Sequence, residues 1–172
     1  LTAKAVTPQT KCDQCGAPVH VGGYDIHTWN DEYFKNINMI ETIQHSDNTG
    51  MVFVAQKLGL DRMINYLGKF GIGENTGIDL QGEVSSSLKP KNEWYEVDLA
   101  TTGFGQGISI TPIELLSAIG AIANEGKRME PHVVQAVEGP DGTLVKIPPK
   151  VLDTPINSET AAFFGFALAS IG

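Results

Sequence analysis

With 172 residues, the chain is long enough to form one domain and bury a real hydrophobic core. Hydrophobic residues at 41% and charged residues at 19% exclude a disordered chain. The 12 Lys and Arg against 20 Asp and Glu leave a net charge of −8, with no basic run or basic helix face, which argues against nucleic acid or an anionic membrane surface as the main partner.

In chain order, Thr7-Pro8-Gln9-Thr10 reads as loop. Pro18 to Thr28 has the pattern of a hairpin turned at Gly22-Gly23. That turn puts Val19, Val21, Tyr24 and Ile26 on one face and Pro18, His20, Asp25 and His27 on the other. Asn38-Met39-Ile40-Glu41 resembles a capping box and predicts a short helix to His45. A second helix is expected from Asn48 or Thr49, burying Val52, Val54, Ala55 and Leu58. A third runs from Asp61 to a stop at Gly71, with Met63, Ile64, Leu67 and Phe70 at helical spacing. Residues 72–110 lack clean periodicity and read as a long structured loop with a short extended piece. Thr111-Pro112-Ile113-Glu114 is a strong helix start, and that helix ends near Gly126. Val133–Val137 and Thr143–Ile147 predict a second hairpin, and Asn157-Ser158-Glu159 caps a final apolar helix through Leu168. The outcome is a mixed α/β chain with no span-length apolar stretch.

Within this frame Ser46-Asp47-Asn48 falls between two helices. A hydroxyl and a carboxamide two positions apart can relay a proton and hold a peptide backbone, as serine acyl transfer requires. An isolated S-x-N is ordinarily a capping sequence, so its surroundings decide the matter.

Three blocks around it line up in order. Residues 40–58 read IETIQHSDNTGMVFVAQKL, residues 67–83 read LGKFGIGENTGIDLQGE, and residues 98–124 read DLATTGFGQGISITPIELLSAIGAIAN. Together with Gly22-Gly23-Tyr24 through Trp29 and Pro131-His132-Val133-Val134, they resemble the transpeptidase domain of penicillin-binding proteins, nearest the monofunctional class B branch. The resemblance covers nearly the whole chain. It implies the α+β penicillin-recognising fold shared with β-lactamases, incomplete here, with a helical subdomain at about 36–71 and a helix, hairpin and helix at about 97–172 covering the sheet.

The resemblance also implies a D,D-transpeptidase that cross-links peptidoglycan. A serine attacks the penultimate D-Ala carbonyl of a stem peptide, the terminal D-Ala leaves, and an amine of a second stem peptide takes the acyl group. β-Lactams imitate the donor peptide. Of the three family motifs S-x-x-K, S-x-N and K-[ST]-G, only the second is matched. Ser46 is the expected proton relay. Asn48 is expected to bind the donor backbone and the nucleophile side, and Asp47 to contribute backbone geometry only. The one S-x-x-K by spacing, Ser86 to Lys89, follows the S-x-N motif, sits in a loop and precedes Pro90, so it reads as a decoy. Thr101-Thr102-Gly103 lacks the lysine of the third motif. Family order puts the missing motifs before Leu1 and after Gly172, so the chain reads as the middle of a domain, inactive alone and with apolar surface exposed. The implied setting is the extracytoplasmic face of a bacterial membrane, with the anchor outside this chain, inside a cell-wall synthesis complex, with no cofactor required. A non-catalytic β-lactam sensor or scaffold of the same fold is the alternative, and flanking S-x-x-K and K-[ST]-G motifs would discriminate the two.

Other residues are candidate sites. Cys12, Cys15, His20 and His27 offer a zinc set in which C-x-x-C forms one corner; a disulfide and two free thiols are the other readings. Gly71, Gly73 and Gly77 match no phosphate-loop spacing and read as turns. Trp29 and Trp94 read as local packing rather than substrate platforms, and Gln106 as a backbone-positioning residue.

Overall fold

Glycine turns and capping side chains mark most element boundaries in the computed structural model, which describes residues 2–169. The described chain divides into two units interleaved in sequence. One comprises the residues up to Tyr66, then 89–108 and those from Phe163 onward; the other comprises 67–88 and 109–162.

In the first unit, β1 (Val19–Val21) and β2 (Tyr24–Ile26) pair antiparallel, with Val19 opposite Ile26 and Val21 opposite Tyr24. Gly22 and Gly23 take φ of 58° and 86°, the two positive values a type I′ turn needs. The predicted apolar face is present, although Tyr24 at the tip remains exposed. Val21 and Ile26 pack with Val52 and Ala100. Val52 lies on α2 (Asn48–Leu58) and Ala100 on α4 (Glu96–Gly103). These two helices touch at Gly103, where a Cβ would come within 2.8 Å of the Ala55 Cβ and 2.9 Å of the Met51 carbonyl oxygen. Only glycine allows that approach.

Helix α4 is a correction, since its residues were expected to be loop. Val97, Thr101 and Thr102 are poor helix formers, and eight residues are too few to show a clear period. The readable signal was Asp98, whose carboxylate accepts from the Tyr95 N–H at 2.9 Å and from Lys89 Nζ at 2.6 Å. Two further helices have the predicted boundaries to within a residue. Asn38 and Glu41 form a reciprocal capping box on α1 (Met39–Gln44), and α3 spans Leu60–Lys69.

Cys12 and Cys15 are joined in a disulfide, with Cα atoms 5.6 Å apart. Both are fully buried in a cluster with Ile37, Met39 and Phe53. The Cys12 N–H donates to the Ile37 carbonyl at 2.9 Å, stitching this loop to the segment that enters α1.

In the second unit Thr111 and Glu114 cap α5 (Pro112–Ala123) reciprocally, with Pro112 in its first turn. The second hairpin is β4 (Ala136–Glu138) with β5 (Leu144–Lys146). An unpredicted pairing joins β3 (Arg128–Met129) to β6 (Val151–Asp153), too short to carry an alternation signal. Asn157 Oδ1 accepts from the Thr160 N–H at 2.8 Å at the start of α6 (Ser158–Ala169), whose residues up to Ala162 belong to this unit. Each sheet among the described residues has two strands.

An exposed apolar strip of the expected kind lies on α5. Pro112, Leu115, Leu116, Ile119, Gly120 and Ala123 follow helical spacing and are all exposed, Leu116 at 66%. A strip of this kind on an amphipathic helix ordinarily faces a core.

Candidate active site at the first helix junction

The S-x-N motif is built from the end of one helix and the start of the next. The Ser46 N–H donates to the Ile43 carbonyl at 3.1 Å, and the Asp47 N–H donates to the Thr42 carbonyl at 3.0 Å. This crossed pair is a Schellman closure, which puts Ser46 in the left-handed position usually taken by glycine. Its φ is 51°. Helices α3 and α4 close the same way, with glycines Gly71 and Gly105 at that position, at φ of 80° and 82°. A serine there costs on the order of 1 kcal/mol.

Asp47 then begins α2. Its Oδ1 accepts from the Gly50 N–H at 3.0 Å and the Thr49 hydroxyl at 2.7 Å, and its carbonyl accepts from the Met51 N–H at 3.1 Å. The residue is 1% exposed, and its Oδ2 has no hydrogen-bond partner among the described residues. Gly50 is pressed against Thr42, whose Cγ2 would lie 2.5 Å from an added Cβ. The two helices therefore meet side chain to backbone directly beneath the motif.

Ser46 is exposed, and its hydroxyl makes no hydrogen bond among the described residues. Asn48, half-buried in the first turn of α2, donates from Nδ2 to the His27 carbonyl at 2.9 Å. That contact leaves Oδ1 as an unengaged acceptor at a helix N-terminus, where the aligned N–H groups favour electron-rich partners. A hydroxyl and a carboxamide so held can pass a proton and grip a peptide unit. Neither is hydrogen-bonded to a titratable side chain among the described residues.

Residues 27–34 form a strap beside the junction. Trp29 Nε1 donates to the His45 carbonyl at 3.3 Å, and the Phe34 ring stacks on His45 with centroids 4.3 Å apart. Asp31 shares short contacts with His27 Nδ1 at 3.0 Å and the Tyr33 hydroxyl at 3.1 Å. The His27 bond, then the Tyr33 bond, hold the Asp31 carboxyl below its ordinary range. Trp29, expected from the sequence to be local packing, is instead 74% exposed and is held beside the junction by its indole bond. Trp94 likewise donates to the Lys89 carbonyl at 2.9 Å.

The remaining candidates separate clearly. Ser86 donates its hydroxyl to Glu114 Oε1 at 2.9 Å, and Lys89 pairs with Asp98 at 2.6 Å, so each half of the decoy is spent on a structural carboxylate. The Gln106 N–H donates to the Thr101 carbonyl at 2.9 Å and closes α4. Of the proposed zinc set, Cys12 and Cys15 are bonded to each other, while His20 pairs with Asp25 at 2.8 Å and His27 with Asp31. A disulfide removes the thiolates zinc would need. No group of three or more His, Cys, Asp or Glu gathers for a metal among the described residues.

Comparison with known proteins identifies the family. Residues 1–163 match the penicillin binding protein transpeptidase domain. Stage V sporulation protein D of Bacillus subtilis is 34% identical over 152 residues, 87% of this chain and 22% of its own length. Peptidoglycan D,D-transpeptidase MrdA of Salmonella typhimurium is 31% identical over 177 residues, covering 96% of this chain and 28% of the relative. Among solved structures, penicillin binding protein 3 of Mycobacterium tuberculosis complexed with aztreonam superimposes at a TM-score of 0.83 and 28% identity, over 93% of this chain and 37% of that one. The chain thus spans between 22% and 28% of the length of these curated relatives. With the family match over residues 1–163 and the fold in agreement, the chain belongs to the penicillin-binding protein transpeptidase family.

Proposed function

We propose that this chain contributes the S-x-N part of a peptidoglycan D,D-transpeptidase centre, with Ser46 as proton relay and Asn48 as the group that holds the donor stem peptide. The observation that carries this reading is the junction itself. An exposed serine is held at a left-handed φ of 51°, two residues from a carboxamide whose Nδ2 is already tied to the His27 carbonyl. Stability alone would favour glycine at that position, which supports a use for the exposed hydroxyl beyond folding.

In the proposed reaction a serine nucleophile outside this chain forms an ester with the penultimate D-Ala carbonyl. The peptide bond to the terminal D-Ala breaks, and the proton from the serine goes by way of Ser46 to the leaving amine. An amine of a second stem peptide then displaces the serine. The substrates are D-Ala-D-Ala stem peptides, β-lactams occupy the donor position, and the enzyme works within a cell-wall synthesis complex. Placement outside the cytoplasm is supported by the fully buried Cys12–Cys15 disulfide, a bond that persists in oxidising compartments.

The test is labelling with a fluorescent penicillin. The protein as its cell makes it should become covalently labelled, and the 172-residue chain alone should not. Acylation of any serine in the isolated chain would overturn the assignment of Ser46 as relay rather than nucleophile.

A further inference from the structure

Between the two functional side chains lies a residue to which family resemblance assigns backbone geometry only. We propose that Asp47 is a positioning residue whose side chain sets Ser46 and Asn48 relative to one another; this rests on the transpeptidase reading above.

The argument begins with how many constraints one residue carries. The Asp47 N–H closes α1 on Thr42, its carbonyl opens the α2 ladder to Met51, and its Oδ1 holds both the Gly50 N–H and the Thr49 hydroxyl. Ser46 has no side-chain bond of its own to hold its left-handed backbone. Its conformation is fixed from one side by α1 and from the other by Asp47. Asn48 is likewise the first residue of α2, so the direction of its side chain follows the angle at which α2 leaves the junction. The side chain is 1% exposed, and a polar group is buried this deeply at a loss unless the bonds it makes matter.

Magnitudes separate this role from plain helix stabilisation. Losing one N-cap lowers the melting temperature of a domain this size by roughly 2–4 °C. A displacement of about 1 Å between groups that must act together lowers a rate by up to about a hundredfold. A positioning residue therefore shows a small thermal effect beside a large kinetic one, and a conservative cap restores the rate.

The experiment uses the protein as its cell makes it and follows acylation by a fluorescent penicillin, well below the melting temperature. Asp47→Ala should melt about 2–4 °C lower and acylate about ten- to a hundredfold more slowly. Asp47→Ser and Asp47→Asn, which keep an oxygen for the Gly50 N–H, should recover the rate to within about threefold, given the near-equal capping strengths of these residues. Acylation of Asp47→Ala within twofold of the unsubstituted protein, or no recovery in both conservative variants, would overturn the proposal. If the unsubstituted protein takes no label, the transpeptidase reading fails instead. Amide exchange across 46–50 then decides the role of Asp47, with unchanged protection in Asp47→Ala overturning it.

Discussion

Two buried acids sit at helix starts in this chain, and they are used in opposite ways. Glu114, in the first turn of α5, spends both carboxylate oxygens. Oε2 takes the Thr111 N–H at 2.6 Å, while Oε1 takes the Gly73 N–H at 3.1 Å and the N–H and hydroxyl of Ser86 at 3.1 and 2.9 Å. Asp47, at the start of α2, spends one oxygen, leaves the other without a partner among the described residues, and adjoins a strained serine. Both are 1% exposed. The Glu114 site is relaxed and ties the loop at 73–86 to a helix, whereas the Asp47 site retains strain beside an exposed serine. Strain of this kind is a reason to test for function at Ser46.

The sharpest way to break the comparison is at Ser46. Ser46→Ala should cut acylation of the protein by at least about a hundredfold, the usual scale for a lost proton relay, without lowering the melting temperature by more than about 2 °C. Ser46→Gly should abolish the same activity while melting at or above the unsubstituted protein, because glycine accepts the left-handed backbone. If Ser46→Gly melts well below Ser46→Ala, the strain argument is wrong.

The contrast predicts the reverse pattern at Glu114. Glu114→Ala strands four donors and should cost about 3 kcal/mol in urea unfolding, with any loss of acylation tracking the loss of folded protein. Gly71→Ala should cost about 1–3 kcal/mol, since Gly71 has φ of 80° and an added Cβ would strike the Arg128 guanidinium.

Acid should weaken the Glu114 side, where three carboxyls are held low. Burial raises the Glu114 carboxyl, but the bonds from Thr111 and Ser86 outweigh it, leaving its pKa below the ordinary value. Glu83 is lowered by the Thr76 hydroxyl and then by neighbouring N–H groups, and Asp79 by the N–H groups of Val133 and Val134. Groups with depressed folded pKa values contribute stability that is present above the unfolded value near 4 and is lost as pH falls through the lowered folded values. Unfolding free energy should therefore decline below about pH 4, less steeply in Glu114→Gln. A slope unchanged by that substitution would remove Glu114 from the account.

Much of this was legible in the sequence because it is local. Asn38 with Glu41, Thr111 with Glu114, and Gly22-Gly23 each announce their element through side chains within a few positions. What escaped was set by distance or by backbone. Helix α4 is held by packing of Ala100 and Gly103 against α2, a contact between residues some fifty positions apart in the chain. The Glu114 clip reaches back 41 residues to Gly73. Ser46 and Asn48 were found by motif, but no spacing rule reveals that the serine stands at a glycine position, or that the Asp47 carboxylate is buried beneath it. The disulfide was one of three readings of Cys12 and Cys15, and burial in one apolar cluster distinguishes it.

The strip on α5 has a practical consequence for anyone handling the chain by itself. Leu115, Leu116 and Ile119 present neighbouring branched side chains to water, and Gly120 leaves a flat place beside them where another surface can approach closely. Sedimentation of the isolated chain should therefore drift with concentration. Replacing Leu116 and Ile119 with glutamate should make it run as a single, concentration-independent species, so the first solubility variant to make lies on α5, well outside the catalytic motif.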